Sequence, residues 1–339
     1  MKVSILSKII STPTGGGNQF LKALKNELIK RKIYEENPFK ADIILFNSFN
    51  FLVDGLFQDL IKLKKMGKII VHRVDGPISI YRGKDIELDK IIFESNYIFA
   101  DATVFQSKWS MDYNKKMGLK TKGNEIIINN APHNSFFYPS LKNTIIKKNK
   151  IKIVSTSWSN NFNKGFDVYK WLDLNLDFNK YEMTFVGNSL YEFKNIKHIA
   201  PVSSKELGEI LRANDIFIFA SKIEACSNSL LEALHTNLPC IAYSGSSNPE
   251  ILGSHGLLFS NKEEIPELLN KIVINYESFL KSFSNLKKIE HIADSYVSFF
   301  KELDNNNNNN STFSYYKIYI TFFKYNFWRI KNKIKGIFL

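Results

Sequence analysis

Short apolar runs alternate with amphipathic helical stretches in two successive parts of the chain. Phe20, Leu21, Leu24 and Leu28, for example, lie on one stripe of a predicted helix over Asn18–Arg31. Such alternation is typical of parallel sheets that are covered by helices on both faces. It predicts an α/β protein of two Rossmann-like, doubly wound domains. The predicted strands are Val3–Ile10, Ile43–Phe46, Lys68–His72, Thr103–Gln106, Ile151–Ser155, Met183–Val186, Ile216–Ala220 and Cys240–Tyr243.

A polar segment rich in Lys and Asn, Ser140–Lys150, interrupts the pattern near the middle of the 339 residues. We therefore expect a first domain over 1–145 and a second over 146–304, closed by a helix at Ile289–Leu303. A run of six asparagines, Asn305–Asn310, reads as a linker to a tail over 311–339. Two such domains would face each other across a cleft at the carboxyl ends of their strands, where ligands bind.

The composition favours a cytoplasmic protein. The first residues do not resemble a signal peptide, and no apolar stretch approaches the roughly 20 residues that a membrane-spanning helix needs. We expect neither a disulfide between Cys226 and Cys240 nor a zinc site, because no second cysteine pair or histidine cluster is present.

The net charge of +13 has two readings. A general excess of Lys, Asn, Ile and Phe would follow from coding bias alone. The charge is nevertheless uneven, since residues 311–339 hold six basic side chains and no acidic one. That local excess needs a separate explanation.

The segment after the predicted strand Ile216–Ala220 carries most of the chemistry. Ser227 and Asn228 are good N-cap residues, so a helix is expected to begin there with free N–H groups that attract phosphate. Glu224 precedes this helix, and Glu232 lies about one turn inside it. Because a carboxylate accepts two hydrogen bonds at once, each suits the adjacent hydroxyls of a ribose or hexose.

The spacing of Glu224 and Glu232 matches the E-x7-E motif of the family 4 retaining glycosyltransferases of GT-B fold. Residues 230–242, LLEALHTNLPCIA, resemble the LLEAMACGTPVIA segment of that family. Asn237 replaces the usual Gly at a position where we expect a left-handed turn to end the helix, before Pro239.

Three other segments resemble the same family. Gly15, Gly16 and Gly17 resemble its N-terminal Gly-rich loop, which approaches the donor diphosphate, although the loop alone would equally be a simple turn. Residues 130–139 resemble the segment that closes the first domain, and residues 289–296 the closing helix. The resemblance covers roughly residues 1–303.

One departure from the family concerns its G-R-L-x-x-x-K-G segment, whose Arg and Lys hold the diphosphate. Lys164 matches the lysine, but no arginine precedes it. Ser157, Ser159 and Asn160 are the candidate donors in its place. The alternative is a solvated loop with a chance Lys-Gly pair.

His72 ends a predicted buried strand, at the position where many family members place a histidine against the donor sugar and acceptor. Arg73 and Asp75 follow it, before a Gly-Pro turn. A purely structural histidine is the alternative.

The resemblance implies a hexosyltransferase that retains anomeric configuration, takes a nucleotide-sugar donor and needs no cofactor or metal. Its acceptor would be a glycan or a lipid-linked sugar, in cell-surface polysaccharide synthesis. The implied catalytic residues are His72, Lys164 and Glu224, and the implied donor-binding residues are Gly16, Gly17, Lys164, Asn228, Ser229 and Glu232. Two rivals stay open: a sugar-nucleotide epimerase of the same fold, and a basic protein that binds membrane or nucleic acid.

The tail over 311–339 interleaves aromatic and basic residues. Because the asparagine run separates it from the closing helix, we expect it to stand apart from the sheet domains and hold the enzyme on the anionic inner face of the membrane. The alternative is a helix folded back onto the first domain. We do not expect nucleic acid as a partner.

Overall fold

The computed structural model describes residues 1–7, 16–48, 56–139, 150–306 and 315–334. Its contacts divide the chain into two compact units. The first comprises Met1–Lys8, Lys25–Asn129 and Ala293–Leu339, and the second Ile9–Leu24 and Asn130–Ile292. The expected boundary near residue 145, Gly15 and most of the asparagine run lie outside the described residues.

The first unit holds a parallel sheet in the order β1-β2-β3-β4-β5. Val3 also bridges Tyr34 at the edge of β1 opposite β2, so the chain visits both sides of β1. The strands β1 to β3 are buried along their whole length, as expected for apolar runs covered on both faces. The strands are β1 (Val3–Leu6), β2 (Ile43–Asn47), β3 (Ile69–Val74), β4 (Ala102–Phe105) and β5 (Glu125–Ile127).

The second unit holds a six-stranded parallel sheet in the order β11-β10-β9-β6-β7-β8. The chain first builds outward from β6 through β7 to β8, then returns to pair β9 with the other edge of β6. This reversal makes the sheet doubly wound, as predicted. The strands are β6 (Ile151–Ser157), β7 (Tyr181–Gly187), β8 (Lys197–Ile199), β9 (Ile216–Phe219), β10 (Cys240–Tyr243) and β11 (Gly256–Phe259).

Helices follow most strands. In chain order they are α1 (Gly16–Lys30), α2 (Phe57–Lys65), α3 (Ile78–Arg82), α4 (Ile86–Phe99), α5 (Lys108–Lys116), α6 (Phe166–Asn175), α7 (Ser204–Ala213), α8 (Asn228–His235), α9 (Asn248–Leu252), α10 (Ile265–Ile274), α11 (Tyr276–Ser282), α12 (Ile289–Asn305) and α13 (Tyr315–Ile334). Apolar side chains cover both faces of the second sheet and form two separate clusters, one around Phe166 and Phe185 and one around Phe217 and Leu230.

The prediction that the tail stands apart from the sheet domains is wrong for its described part. Helix α13 packs against α4, and its Ile318, Tyr325 and Trp328 belong to the core of the first unit. Tyr325 stacks on Phe57 with ring centroids 5.2 Å apart. A linker without structure of its own does not stop the segment that follows it from folding back, when one face of that segment is apolar.

Other local predictions have clear outcomes. Asn237 adopts a left-handed conformation with φ 61°, as expected at the end of α8. Cys226 and Cys240 are both buried and are not joined by a disulfide. Residues from Ala293 onward group with the first unit, whereas we expected α12 to complete the second. An ion pair of 2.8 Å between Arg31 and Asp294 supports this grouping. None of the described helices is long and apolar enough to cross a membrane.

Candidate functional site

The structure brings Lys164 and Glu224 together at the carboxyl end of β9. Lys164 Nζ lies 2.6 Å from Glu224 Oε1, and the Ser221 hydroxyl donates to the same oxygen at 2.6 Å. The backbone N–H of Glu224 donates to Ser246 Oγ. Both charged side chains keep some contact with solvent, 26% for Lys164 and 12% for Glu224. The pair therefore presents a fixed cation and a fixed carboxylate to a ligand.

Gly165 and Asn248 fix the backbone around this pair. Gly165 has φ 74°, and an added Cβ would overlap the carbonyl oxygen of Ala220. A side chain at that position would push Lys164 away from β9. The buried Asn248 donates from Nδ2 to the carbonyl oxygens of Ser221 and Tyr243, which fixes the loop that carries Glu224.

Helix α8 begins where the sequence predicts. Ser227 caps it, because its Oγ accepts the N–H of Leu230. Asn228 is the first residue of the helix, and its Oδ1 accepts a hydrogen bond from Asn130 Nδ2. The free N–H groups of this first turn, including that of Ser229, form an end of positive partial charge.

Gly16 lies directly beside Asn228, so close that a Cβ at position 16 would overlap the Asn228 side chain. A Cβ at Gly17 would meet no atom within 4 Å among the described residues. Gly16 and Gly17 are the first two residues of α1, not part of a preceding loop as their sequence suggested. Two helix N-termini thus approach each other at this point, and both offer amides to an anion.

Glu232 is buried on α8, with 7% of its surface exposed. Burial raises the pKa of its carboxyl to about 8, because removal from water disfavours the charged form. Within the described residues no side chain or backbone group forms a hydrogen bond to it. The oxygens of Glu232 are not among the fully enclosed polar atoms that lack a partner, so a small donor can reach them.

The loop before Lys164 does not supply all the donors that we expected in place of the missing arginine. Ser157 is buried and donates its hydroxyl to the carbonyl oxygen of Ser159, 2.7 Å away. Its proton is therefore used inside the loop, and the proposal that Ser157 binds the donor is wrong. Ser159 Oγ accepts from the N–H of Asn161, and the side chains of Ser159 and Asn160 are both exposed.

His72 is placed differently from the prediction. Its ring has no exposed surface, and it stacks on Phe46 with centroids 4.1 Å apart. Nε2 lies 2.8 Å from Ser48 Oγ and Nδ1 lies 2.9 Å from Asn96 Oδ1. Burial lowers the pKa of His72 to about 3, so the ring is neutral. Both nitrogens have a partner within the protein, and we propose a structural role for His72 in place of contact with substrate.

Asp75 directly follows β3, and its side chain is 27% exposed to solvent. Asn47 Nδ2 donates to its Oδ2 at 2.8 Å, and Gln106 donates to its Oδ1. Arg73 is fully buried and lies 3.4 Å from the same carboxylate. Sequence analysis treated Asp75 only as support for His72, although a carboxylate directly after a wholly buried strand is itself a signal.

The described part of the chain contains no group of three His, Cys, Asp or Glu side chains that could hold a metal ion.

Comparison with known proteins identifies the fold and one domain. Residues 177–277 match the family of glycosyl transferases group 1. HepE from Anabaena, solved with UDP, is 13% identical, with a TM-score of 0.70 over 89% of this chain and 100% of HepE. A sucrose-phosphate synthase from Thermosynechococcus elongatus is also 13% identical, with a TM-score of 0.69 over 90% of this chain and 100% of the synthase.

WaaG, a glycosyltransferase involved in lipopolysaccharide biosynthesis, is 10% identical, with a TM-score of 0.60 over 88% of this chain and 99% of WaaG. No sequence among the curated proteins matches this chain. The two-sheet architecture is that of the GT-B glycosyltransferases, as the resemblance implied. Residues 177–277 thus match a glycosyltransferase family, and the chain has the GT-B fold.

Proposed function

We propose that the protein transfers a hexose from a nucleotide sugar to a glycan or lipid-linked acceptor, with retention of anomeric configuration. The observation that carries the proposal is Glu232, a buried carboxyl that lacks a partner among the described residues, on the helix that follows the Lys164–Glu224 pair. A nucleotide sugar offers what this site lacks: ribose hydroxyls that donate hydrogen bonds, and a diphosphate that accepts them.

Glu232 would hold the ribose. Hydroxyl donors favour the charged form of the carboxyl, so the nucleotide would lower the pKa of Glu232 from about 8 and release a proton when it binds near neutral pH. HepE has been solved with UDP and with UDP-glucose, which supports a nucleotide sugar as donor.

The departing diphosphate gains negative charge as the bond to the sugar breaks, and fixed donors can stabilise that charge. Lys164 would contact it, together with the amides at the start of α8 (Asn228, Ser229) and of α1 (Gly16, Gly17). Glu224 would hold the hexose and also orient Lys164, with which it pairs at 2.6 Å. This arrangement requires no metal.

The acceptor would bind on the first unit, where Asp75 offers a carboxylate held by Asn47 and Gln106. This carboxylate accepts from Asn47, Gln106 and Arg73 and is open to solvent on one side, which suits an acceptor hydroxyl. The role of WaaG in lipopolysaccharide biosynthesis supports a cell-surface polysaccharide as product.

Product analysis tests this proposal. The purified protein should be incubated with a panel of nucleotide sugars, with and without glycan and lipid-linked acceptors. A new glycoside that forms only with an acceptor, and whose anomeric proton shows the donor's configuration, is the expected result. An isomerised or hydrolysed sugar without an acceptor would instead indicate a sugar-nucleotide epimerase.

A further inference from the structure

Helix α13 (Tyr315–Ile334) has two apolar faces, of which only one is used inside the protein. Its inner face carries Ile318, Thr321, Tyr325 and Trp328, each at most 4% exposed. The spacing of these residues, three, four and three positions apart, keeps them on one side of a helix. This face anchors α13 on the first unit and fixes which side of the helix looks outward.

The opposite face is a row of large apolar side chains left in solvent, here called the aromatic ridge. Tyr316 is 75% exposed, Phe323 74% and Phe327 64%. Soluble proteins avoid an apolar stripe of this length unless it binds something. The ridge comprises Tyr316, Tyr319, Ile320, Phe323, Phe327 and Ile330.

Lysines border the ridge on one flank at intervals of seven residues. Lys324 pairs with Glu94 at 2.6 Å and Lys331 with Glu87 at 3.2 Å, so both tie α13 to α4. Lys317 lies over the Tyr97 ring, 5.2 Å from its centroid. From Tyr315 to Ile334 the sequence contains no acidic residue, so α13 itself offers no negative charge to a partner.

A groove of about 470 Å³ lies between α4 and α13, next to the ridge. Its apolar lining includes Phe93, Tyr97 and Ile320, the last of which also belongs to the ridge. Lys120 and Lys317 stand at the same groove, and so does Glu94, whose carboxylate is paired with Lys324. Cationic groups beside apolar walls fit a phosphate on a hydrocarbon chain, which is the chemistry of an anionic phospholipid.

We propose that the aromatic ridge and this groove form a docking surface for an anionic lipid bilayer, with α13 lying flat in the interface. Aromatic rings beside basic groups are typical of helices that bind in the headgroup region. A second copy of the chain fits less well, because contact between two ridges would bring together two α13 helices that carry basic and no acidic side chains. The inference rests on α13 and α4 and is independent of the transferase activity.

Substitution tests this surface better than truncation, because removal of α13 would also remove Tyr325 and Trp328 from the core. The test variant is Phe323→Ser with Phe327→Ser in the full chain. Its matched control is Leu174→Ser with Ile274→Ser, which removes two apolar side chains of comparable exposure, 59% and 80%, from the second unit. Thermal unfolding of all three proteins checks that each is folded.

Co-sedimentation with vesicles of equal parts phosphatidylglycerol and phosphatidylcholine measures binding. The wild type and the control should bind equally, and the test variant should bind at least tenfold more weakly. Vesicles of phosphatidylcholine alone, or high salt, should weaken wild-type binding, because charge screening removes the lysine contribution. Tyr319→Trp should show blue-shifted emission on addition of the anionic vesicles.

Equal binding by the folded test variant and the wild type would overturn the proposal, as would a wild type that ignores anionic vesicles. A wild type that is dimeric in solution, with a monomeric test variant, would show instead that the ridge binds a second copy.

Discussion

The surroundings of His72 and of Glu232 differ in one respect that decides their roles. Both side chains are buried, and burial shifts the pKa of each toward its neutral form, to about 3 for His72 and about 8 for Glu232. His72 has a polar partner on each ring nitrogen, Ser48 and Asn96. Glu232 has none among the described residues. The first is complete without a ligand, and the second is not.

This difference separates structural from functional polar groups more sharply than burial or pKa alone. A satisfied buried group costs little to keep, whereas an unsatisfied one destabilises the protein and is explained when a ligand completes it. By this criterion we propose that α8 holds the donor, and that on the first unit Asp75, not His72, is the group open to a ligand.

The largest expected effect is the contribution of Glu232 to the pH dependence of the protein's stability. Its folded-state pKa of about 8 lies above that of the unfolded chain, so the folded state keeps a proton that the unfolded state loses. Stability is therefore complete below about pH 4.5 and falls as the pH rises toward 8, by about 4 kcal/mol in total. The Glu232→Gln variant should not lose this stability. Its free energy of unfolding should therefore rise relative to that of the wild type as the pH increases over the same range. Denaturant unfolding at several pH values measures the gap, and a constant gap would contradict the account.

His72 is expected to change the stability of the protein with pH in the opposite direction. Its folded-state pKa of about 3 lies below that of the unfolded chain, so the unfolded state gains a proton first as the pH falls. Stability is complete above about pH 6.5 and decreases by about 3 kcal/mol toward pH 4.5. His72→Gln should remove this slope and change kcat/KM by less than about threefold, or roughly 0.6 kcal/mol. A hundredfold loss of activity in the folded variant would restore His72 as a catalytic residue.

A smaller effect is expected at Lys164, which we propose acts on the leaving group. Lys164→Ala should lower kcat at least about tenfold, or roughly 1.4 kcal/mol, beyond any rise in KM. An unchanged kcat would mean that another cation stabilises the diphosphate.

The matched control, Lys222→Ala, has the smallest expected effect. Lys222 forms an exposed ion pair of 3.1 Å with Asp167, and such surface pairs contribute about 0–1 kcal/mol. Its steady-state kcat should stay within about twofold of the wild type. A loss equal to that of Lys164→Ala would identify Lys222 as the replacement for the missing arginine.

The central strands were predictable because each is a run of apolar residues long enough to be buried on both faces. The strands that sequence analysis missed are at or near sheet edges. In β8, Lys197-His198-Ile199, only one residue is strongly apolar. β5 has three residues, and all three are half-buried. Edge strands need less apolar surface, so their composition carries less information.

The site was predictable where function depends on local sequence, and not where it depends on contacts between distant segments. The start of α8 follows from local sequence, whereas the ion pair between Lys164 and Glu224 joins residues 60 positions apart and was not predicted. The partners of His72 come from two other elements 24 residues away on either side, and no local pattern reveals them. The tail was misjudged for the same reason, because its inner face meets Phe57, far away in the chain.

Calorimetric titration of nucleotide sugars into the wild type, Glu232→Ala and His72→Gln tests the central claim most directly. At least one nucleotide sugar of the panel should bind the wild type, and His72→Gln should bind it equally well. Glu232→Ala should bind it more weakly by about 1–3 kcal/mol, the cost of losing hydrogen bonds to a charged group. A folded Glu232→Ala variant with wild-type affinity, or a loss of binding in His72→Gln instead, would contradict the account.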